Sequence, residues 1–180
     1  MSEKTRRSAA FIAVGSNIEP ERHIVAALTA LVEKTHVAGS STFYRTAPVG
    51  RVDQPMFVNG LWLIRTDLDP HAVRRELLAP VERLLGRQRS DDKFASRTID
   101  LDLVLYDDRV ESDGDLRLPH PDIARPFVCG PILEVLNSEE AAIEPELRGR
   151  IARLLPQHAS TAPPGEILKT LTDRLRQLLT

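Results

Sequence analysis

Asp100 and Asp102 stand two residues apart in TIDLDLVLY (98–106). On an extended strand both carboxylates leave one face while Ile99, Leu101, Leu103 and Leu105 leave the other. The strand rise sets their Cα atoms about 6–7 Å apart. Two carboxylates that close repel unless a cation with hard oxygen ligands sits between them, and Mg²⁺ suits that role. Taken alone, the pair also fits a half-exposed strand whose polar face is acidic. The cations just before it, Arg87, Arg89, Lys93 and Arg97, change the reading. Arginine presents a planar fork matched to phosphate oxygens and magnesium bridges polyphosphates, so together the two groups describe a nucleoside triphosphate site. RQR (87–89) by itself reads better as a solvated loop.

His120, held between Pro119 and Pro121, reads either as a surface histidine on a rigid turn or as a phosphate contact. The segment from Thr46 to Pro55, followed by Phe57 and Asn59 on one strand face, offers an aromatic surface beside an amide that both donates and accepts hydrogen bonds. A flat heterocycle asks for that combination, although Phe57 alone also suits a core position. No GxxxxGK[ST] loop occurs, which excludes a P-loop kinase, and neither a Cys–His pairing nor GxSxG points to a covalent nucleophile.

The elements that must position these residues follow from the hydrophobic pattern. AAFIAV (9–14) is a short apolar run closed by Gly15-Ser16-Asn17, as in a buried strand entering a turn. Pro20 suits a first helical position, and Ile24, Ala27, Leu28, Leu31 and Val32 follow at helical spacing. A β-prone stretch at 40–46, an ordered loop over 47–55 and a strand over 57–66 come next. Asp69 and Pro70 make an N-cap and N1 pair for a helix that Gly86 stops and Pro80 kinks. After the polar run 87–93 come the strand 98–106, the segments 109–112 and 116–121, and a helix from Pro126 to about Asn137. This order matches a ferredoxin-like βαββαβ α+β sandwich, an antiparallel sheet with helices on one face. Residues 138–180, with amphipathic stretches at 147–155 and 167–179, read as a C-terminal helical appendix.

Composition bounds the possibilities. At 180 residues, 42% hydrophobic and 28% charged, the chain suits a single domain spanning 1–180 with its core at 9–137. A net charge of -2 gives no global pull toward nucleic acid or acidic lipid. Cys129 stands alone, so no internal disulfide forms, and the apolar run after the charged start is too short for a signal peptide. The expectation is a cytoplasmic monomer working on small molecules, with no nucleic-acid or membrane partner.

SRTIDLDLVLY (96–106), together with GSN (15–17), FYRTAPVGRVDQPMFVN (43–59), the Glu82–Arg87 spacing and LPHP (118–121), resembles the 6-hydroxymethyl-7,8-dihydropterin pyrophosphokinase family over roughly residues 9–137. The chain departs from that pattern at Phe94, where the family commonly has Trp, at Ala95-Ser96, which replace Gly-Pro, and by one residue between His120 and Arg125. The resemblance implies a ferredoxin-like fold, ATP as co-substrate and two Mg²⁺ ions on Asp100 and Asp102. It implies an ATP site drawing on Glu82, Arg87, Arg89, Arg97 and His120, with Arg87, Arg97, Asp100 and Asp102 carrying the chemistry. The pterin would lie between Phe57 and Phe127, hydrogen-bonded by Asn59 and lined by Thr46, Pro48, Val49 and Phe94. The reaction so implied moves pyrophosphate from ATP to a hydroxymethyl oxygen and releases AMP, a step of folate biosynthesis. Two alternatives stand beside it: the same chemistry on another heterocyclic alcohol, and a ferredoxin-like RNA-binding module, which 4% aromatic residues and the net charge disfavour.

Overall fold

The computed structural model describes residues 7–50, 53–88, 95–157 and 163–180. Five strands form one hydrogen-bonded path, β5 (Asp100–Tyr106), β1 (Ser8–Ser16), β4 (Phe57–Thr66), β3 (Tyr44–Thr46) and β8 (Glu166–Ile167), while β2 (His36–Ser40) also pairs with β4. Every pairing in this sheet is antiparallel. A separate hairpin, β6 (Glu111–Asp113) and β7 (Leu116–Leu118), follows β5.

Helices cover both faces of the sheet, not the single face expected. On one side α1 (Pro20–Val32) contributes Ile24, Leu28 and Leu31, and α6 (Lys169–Gln177) contributes Leu171 and Leu175, against Ile12, Val14, Trp62 and Ile64. On the other, α4 (Pro126–Leu136) and α5 (Pro145–Ala152) place Val128, Ile132, Val135, Leu147 and Ile151 against Phe11, Leu61 and Leu63. The cause lies in β1 and β4, whose central residues are apolar on both faces. A sheet of that composition stays unstable until both faces are dry, each Leu-sized side chain contributing roughly 1.5–3 kcal/mol on burial. The segment read as a helical appendix thus supplies helices to both layers and a strand to the sheet.

Two local irregularities aim the site. The β1–β5 register runs Phe11↔Leu105 and then Ile12↔Leu103, so Val104 is an extra residue on β5. This bulge reverses the alternation: Ile99, Leu101 and Leu103 join the layer under α1, whereas Leu105 crosses to the layer under α4. The uniform Leu face expected over 99–105 therefore holds only up to Leu103. The second irregularity follows from Pro80. Between α2 (Pro70–Ala72) and α3 (Ala79–Leu84) the backbone is π-helical over Val73–Leu78, with the Ala79 N–H reaching back to the Arg74 carbonyl. The proline ring would press on the carbonyl of residue 76 in a regular helix, and the widened turn relieves it. The expected kink is taken up this way.

Candidate active site

Asp100 opens β5, opposite Gly15 of β1, and Asp102 lies opposite Ala13. Because β5 is an edge strand, its outward N–H groups need partners. Glu82, buried on α3, accepts the Leu101 N–H at 3.0 Å and fixes the strand between the two aspartates. Glu82 is not among the described residues lining the cleft; it acts on the strand from behind.

Arg97 donates from Nη1 to Asp100 Oδ2 at 2.5 Å, and Arg87 Nη2 lies 3.3 Å from Asp100 Oδ1. Both guanidinium groups are largely shielded, at 15% side-chain exposure, so their pairing with Asp100 is stronger than a surface ion pair. Asp102 opens to the cleft but has protein around it on its remaining sides. Burial first, then the charges of Asp100, Glu82 and Asp122, push its carboxyl up to about 7, with Arg97 opposing. His120 accepts the Asp122 N–H at Nδ1 (3.1 Å), which leaves its ring proton on Nε2. Burial lowers its pKa below the usual imidazole value, so it is neutral at physiological pH.

Beside these charges lies the heterocycle-like surface. Asn59 Nδ2 donates to Thr46 Oγ1 at 2.7 Å across the β3–β4 pair. Gly15 makes room for that amide, since a Cβ there would stand 2.9 Å from Asn59 Oδ1. The Arg97 guanidinium sits 5.9 Å over the Phe57 ring and the Arg125 guanidinium 5.8 Å over Phe127. One cleft of about 470 Å³ is lined by Thr46, Val49, Phe57, Asn59 and Phe127 together with Arg97, Asp100, Asp102 and His120. Residues read from sequence for a ring and residues read for phosphate thus meet in one cavity. Pro48 is half-buried between lining residues Ala47 and Val49, and among the described residues Arg87 reaches the site through Asp100. Arg89 and Phe94 lie outside the described residues.

Sequence reasoning gave no role to Asp122 and Asn17 and left that of Arg125 open. Asp122 and Arg125 line the cleft and pair at 2.7 Å. Asn17 is 4% exposed and ties three segments together. Its Oδ1 accepts the Arg97 N–H at 2.7 Å, its Nδ2 donates to Ser96 Oγ at 3.1 Å and to the Pro55 carbonyl at 3.4 Å, and its own N–H donates to the Arg97 carbonyl at 3.1 Å. The one signal in sequence was the polar turn GSN closing an apolar strand. Asn17→Ala strands the Arg97 N–H inside the protein and is expected to cost about 1–3 kcal/mol in chemical denaturation. Amide exchange at Arg97 should quicken in the same variant.

The donor chemistry fits a hard divalent cation: two carboxylates on one strand face, one already bridged by arginines and the other in a field that stays net negative despite Arg97. The His71, Glu111 and Asp113 group, whose potential ligand atoms lie within 4.8 Å of one another, is elsewhere, with none of the three lining the cleft. No helix among the described residues is long and apolar enough to cross a membrane, and Cys129 is a buried free thiol.

Comparison with known proteins gives the family. The chain is 38% identical over 132 residues to the 2-amino-4-hydroxy-6-hydroxymethyldihydropteridine pyrophosphokinase of Haemophilus influenzae, covering 71% of this chain and 81% of that one. It is 35% identical over 157 residues to the enzyme of the same name from Pseudomonas aeruginosa, covering 85% and 91%. The Bacillus subtilis enzyme of that name is 35% identical over 135 residues, covering 73% and 80%. Residues 11–137, which carry the whole cleft, match the family model for 7,8-dihydro-6-hydroxymethylpterin-pyrophosphokinase, and the chain belongs to that family.

Proposed function

We infer that this chain is a pyrophosphokinase that transfers the pyrophosphate of ATP to the hydroxymethyl group of 6-hydroxymethyl-7,8-dihydropterin, a step of folate synthesis that releases AMP. The observation that carries this reading is the single cleft in which Phe57, Asn59 and Phe127 adjoin Arg97, Asp100 and Asp102. The hydroxymethyl oxygen attacks the β-phosphorus in line, the bond from that phosphorus to the α,β-bridging oxygen breaks, and AMP leaves with that oxygen.

No protein nucleophile is needed, so the chain's work is positioning and charge. Asn59 orients the pterin edge, with its own amide held by Thr46. Phe57 and Phe127 take the faces of the ring. Arg97 is placed by Asn17 and Asp100 to meet charge on the transferred group. His120 offers Nε2–H to a phosphate oxygen, and Arg87 steadies Asp100. Glu82 serves the ATP site indirectly, by holding β5. Arg89 and Phe94 complete the ATP and pterin contacts in this reading. Two Mg²⁺ ions on Asp100 and Asp102 would neutralise the polyphosphate and acidify the attacking hydroxyl.

The strand order β5–β1–β4 followed by β2 and β3 supports a ferredoxin-like description, in which β2 and β3 act as one interrupted strand. We read 1–180 as one domain, its core 9–137 followed by an extension, and as a cytoplasmic monomer. Cys129 is a free thiol, and the co-substrate in this reading is ATP.

Incubation with ATP, Mg²⁺ and the reduced pterin alcohol tests the reading. AMP formed in step with pterin pyrophosphate is expected. ADP as the nucleotide product, or AMP only with another heterocyclic alcohol in a substrate panel, would replace it.

A further inference from the structure

Among the described residues beyond the family-matched range, the chain returns to the sheet at one place, the short strand that leads into the pterin side of the cleft. β3 is three residues long and would be the sheet edge without β8. A strand that short makes few ladder hydrogen bonds, so its hold depends on what pairs with each of its edges. Here the C-terminal segment secures it from end to end. Phe43 donates its N–H to Thr172 Oγ1 at 3.0 Å and accepts the Leu168 N–H at 2.9 Å. Tyr44 pairs with Ile167 and Arg45 with Glu166, whose side chains also meet at 2.8 Å. Gly165 then lies so close to the Arg45 carbonyl that a Cβ would overlap it, and that same Cβ would stand 3.3 Å from Thr46 Cγ2.

The next residue, Thr46, lines the cleft and holds the Asn59 amide. Leu171 and Leu175 anchor the segment in the core, and Thr172 is 3% exposed. The contact with the strand is therefore built in, not a fraying tail laid on the surface. The Arg45–Glu166 pair is exposed and worth little by itself, so the backbone contacts carry the effect.

We propose that residues 163–177 form a clamp that sets the position of Thr46, and through it Asn59, and thereby tunes affinity for the pterin while leaving ATP binding alone. The clamp rests on the pterin reading of the cleft.

Two independent perturbations of the full chain test it. Gly165→Val pushes β8 off the Arg45 carbonyl, and Thr172→Val removes the acceptor of the Phe43 N–H, with Thr172→Ser as the conservative restoration. Pterin affinity is read both as KM and as a dissociation constant from fluorescence titration, beside the KM for ATP and amide exchange at Tyr44, Arg45 and Thr46. The expected result is pterin KM and Kd raised about tenfold in both Val variants, as for a modest coupling between sites. The ATP KM should stay within about twofold, and Thr172→Ser should return to wild-type values. Pterin constants unchanged despite faster exchange at Tyr44–Thr46 would overturn the clamp alone. Equal rises in both KM values would overturn it in favour of general loosening. Failure of the wild type to bind pterin at all would overturn the reading of the cleft as well.

Discussion

Asp102→Asn is expected to remove about a thousandfold or more of AMP release, as loss of a principal charge-organising group does, while raising the melting temperature of the metal-free protein at pH 8. The two effects have one source. Burial is the largest part of the penalty on the charged form of Asp102, and the charges of Asp100, Glu82 and Asp122 add to it, with Arg97 opposing. The Asp102 carboxyl is raised from 3.8 to about 7 in the folded chain. Between those values the native state holds a proton that the unfolded state has lost, so stability falls as pH rises through that window, and above pH 7 the whole penalty is present. The amide removes the penalty. The gain in melting temperature should therefore be largest at pH 8 and absent near pH 4. Magnesium should raise the melting temperature of the wild type at pH 8 and leave the variant unmoved. Asp100→Asn should share the loss of turnover but not the gain in stability, because Asp100 has two arginines to offset its charge and its removal leaves them facing each other. Near-normal turnover by Asp102→Asn at saturating Mg²⁺ would overturn the metal assignment.

Much of the site was legible because its signals are local. The two-residue spacing of Asp100 and Asp102 is enough to put them on one face of any strand, and both line the cleft. Phe57 and Asn59 were readable for the same reason. The Leu103–Leu105 alternation failed because the bulge at Val104 depends on pairing with β1, over ninety residues away in sequence, and nothing within TIDLDLVLY encodes it. Helices on both faces escaped for a related reason. The doubly apolar β1 and β4 required a second cover, but α4 and α5 identify themselves as that cover only once packed. Asn17 was hidden because a buried asparagine that joins three loops has the same sequence signature as one that merely closes a turn. Glu82 is a further case. The resemblance assigned it to the ATP site, and nothing near it in sequence announced that it also accepts the Leu101 N–H.

Arg97→Ala is expected to lower kcat by about a hundred- to a thousandfold, roughly 2.7–4 kcal/mol of transition-state stabilisation, with the pterin KM changed little. Arg97 is held from three directions: its N–H by Asn17, its Nε by the Ala95 carbonyl at 3.2 Å, and its Nη1 by Asp100. A guanidinium so fixed needs no reorganisation when charge develops on the transferred group, which is why its loss should appear in kcat and not in ground-state binding. Arg97→Lys keeps the charge but loses the fork that addresses Asp100 and a phosphate oxygen together, so it should recover only part of the rate. Because Arg97 and Asp100 are in contact, their single losses should not add: Arg97→Ala combined with Asp100→Asn should cost distinctly less than the sum of the two. Full additivity in that cycle would place Arg97 outside the charge cluster, and a defect confined to pterin KM would assign it to the Phe57 ring that it covers at 5.9 Å.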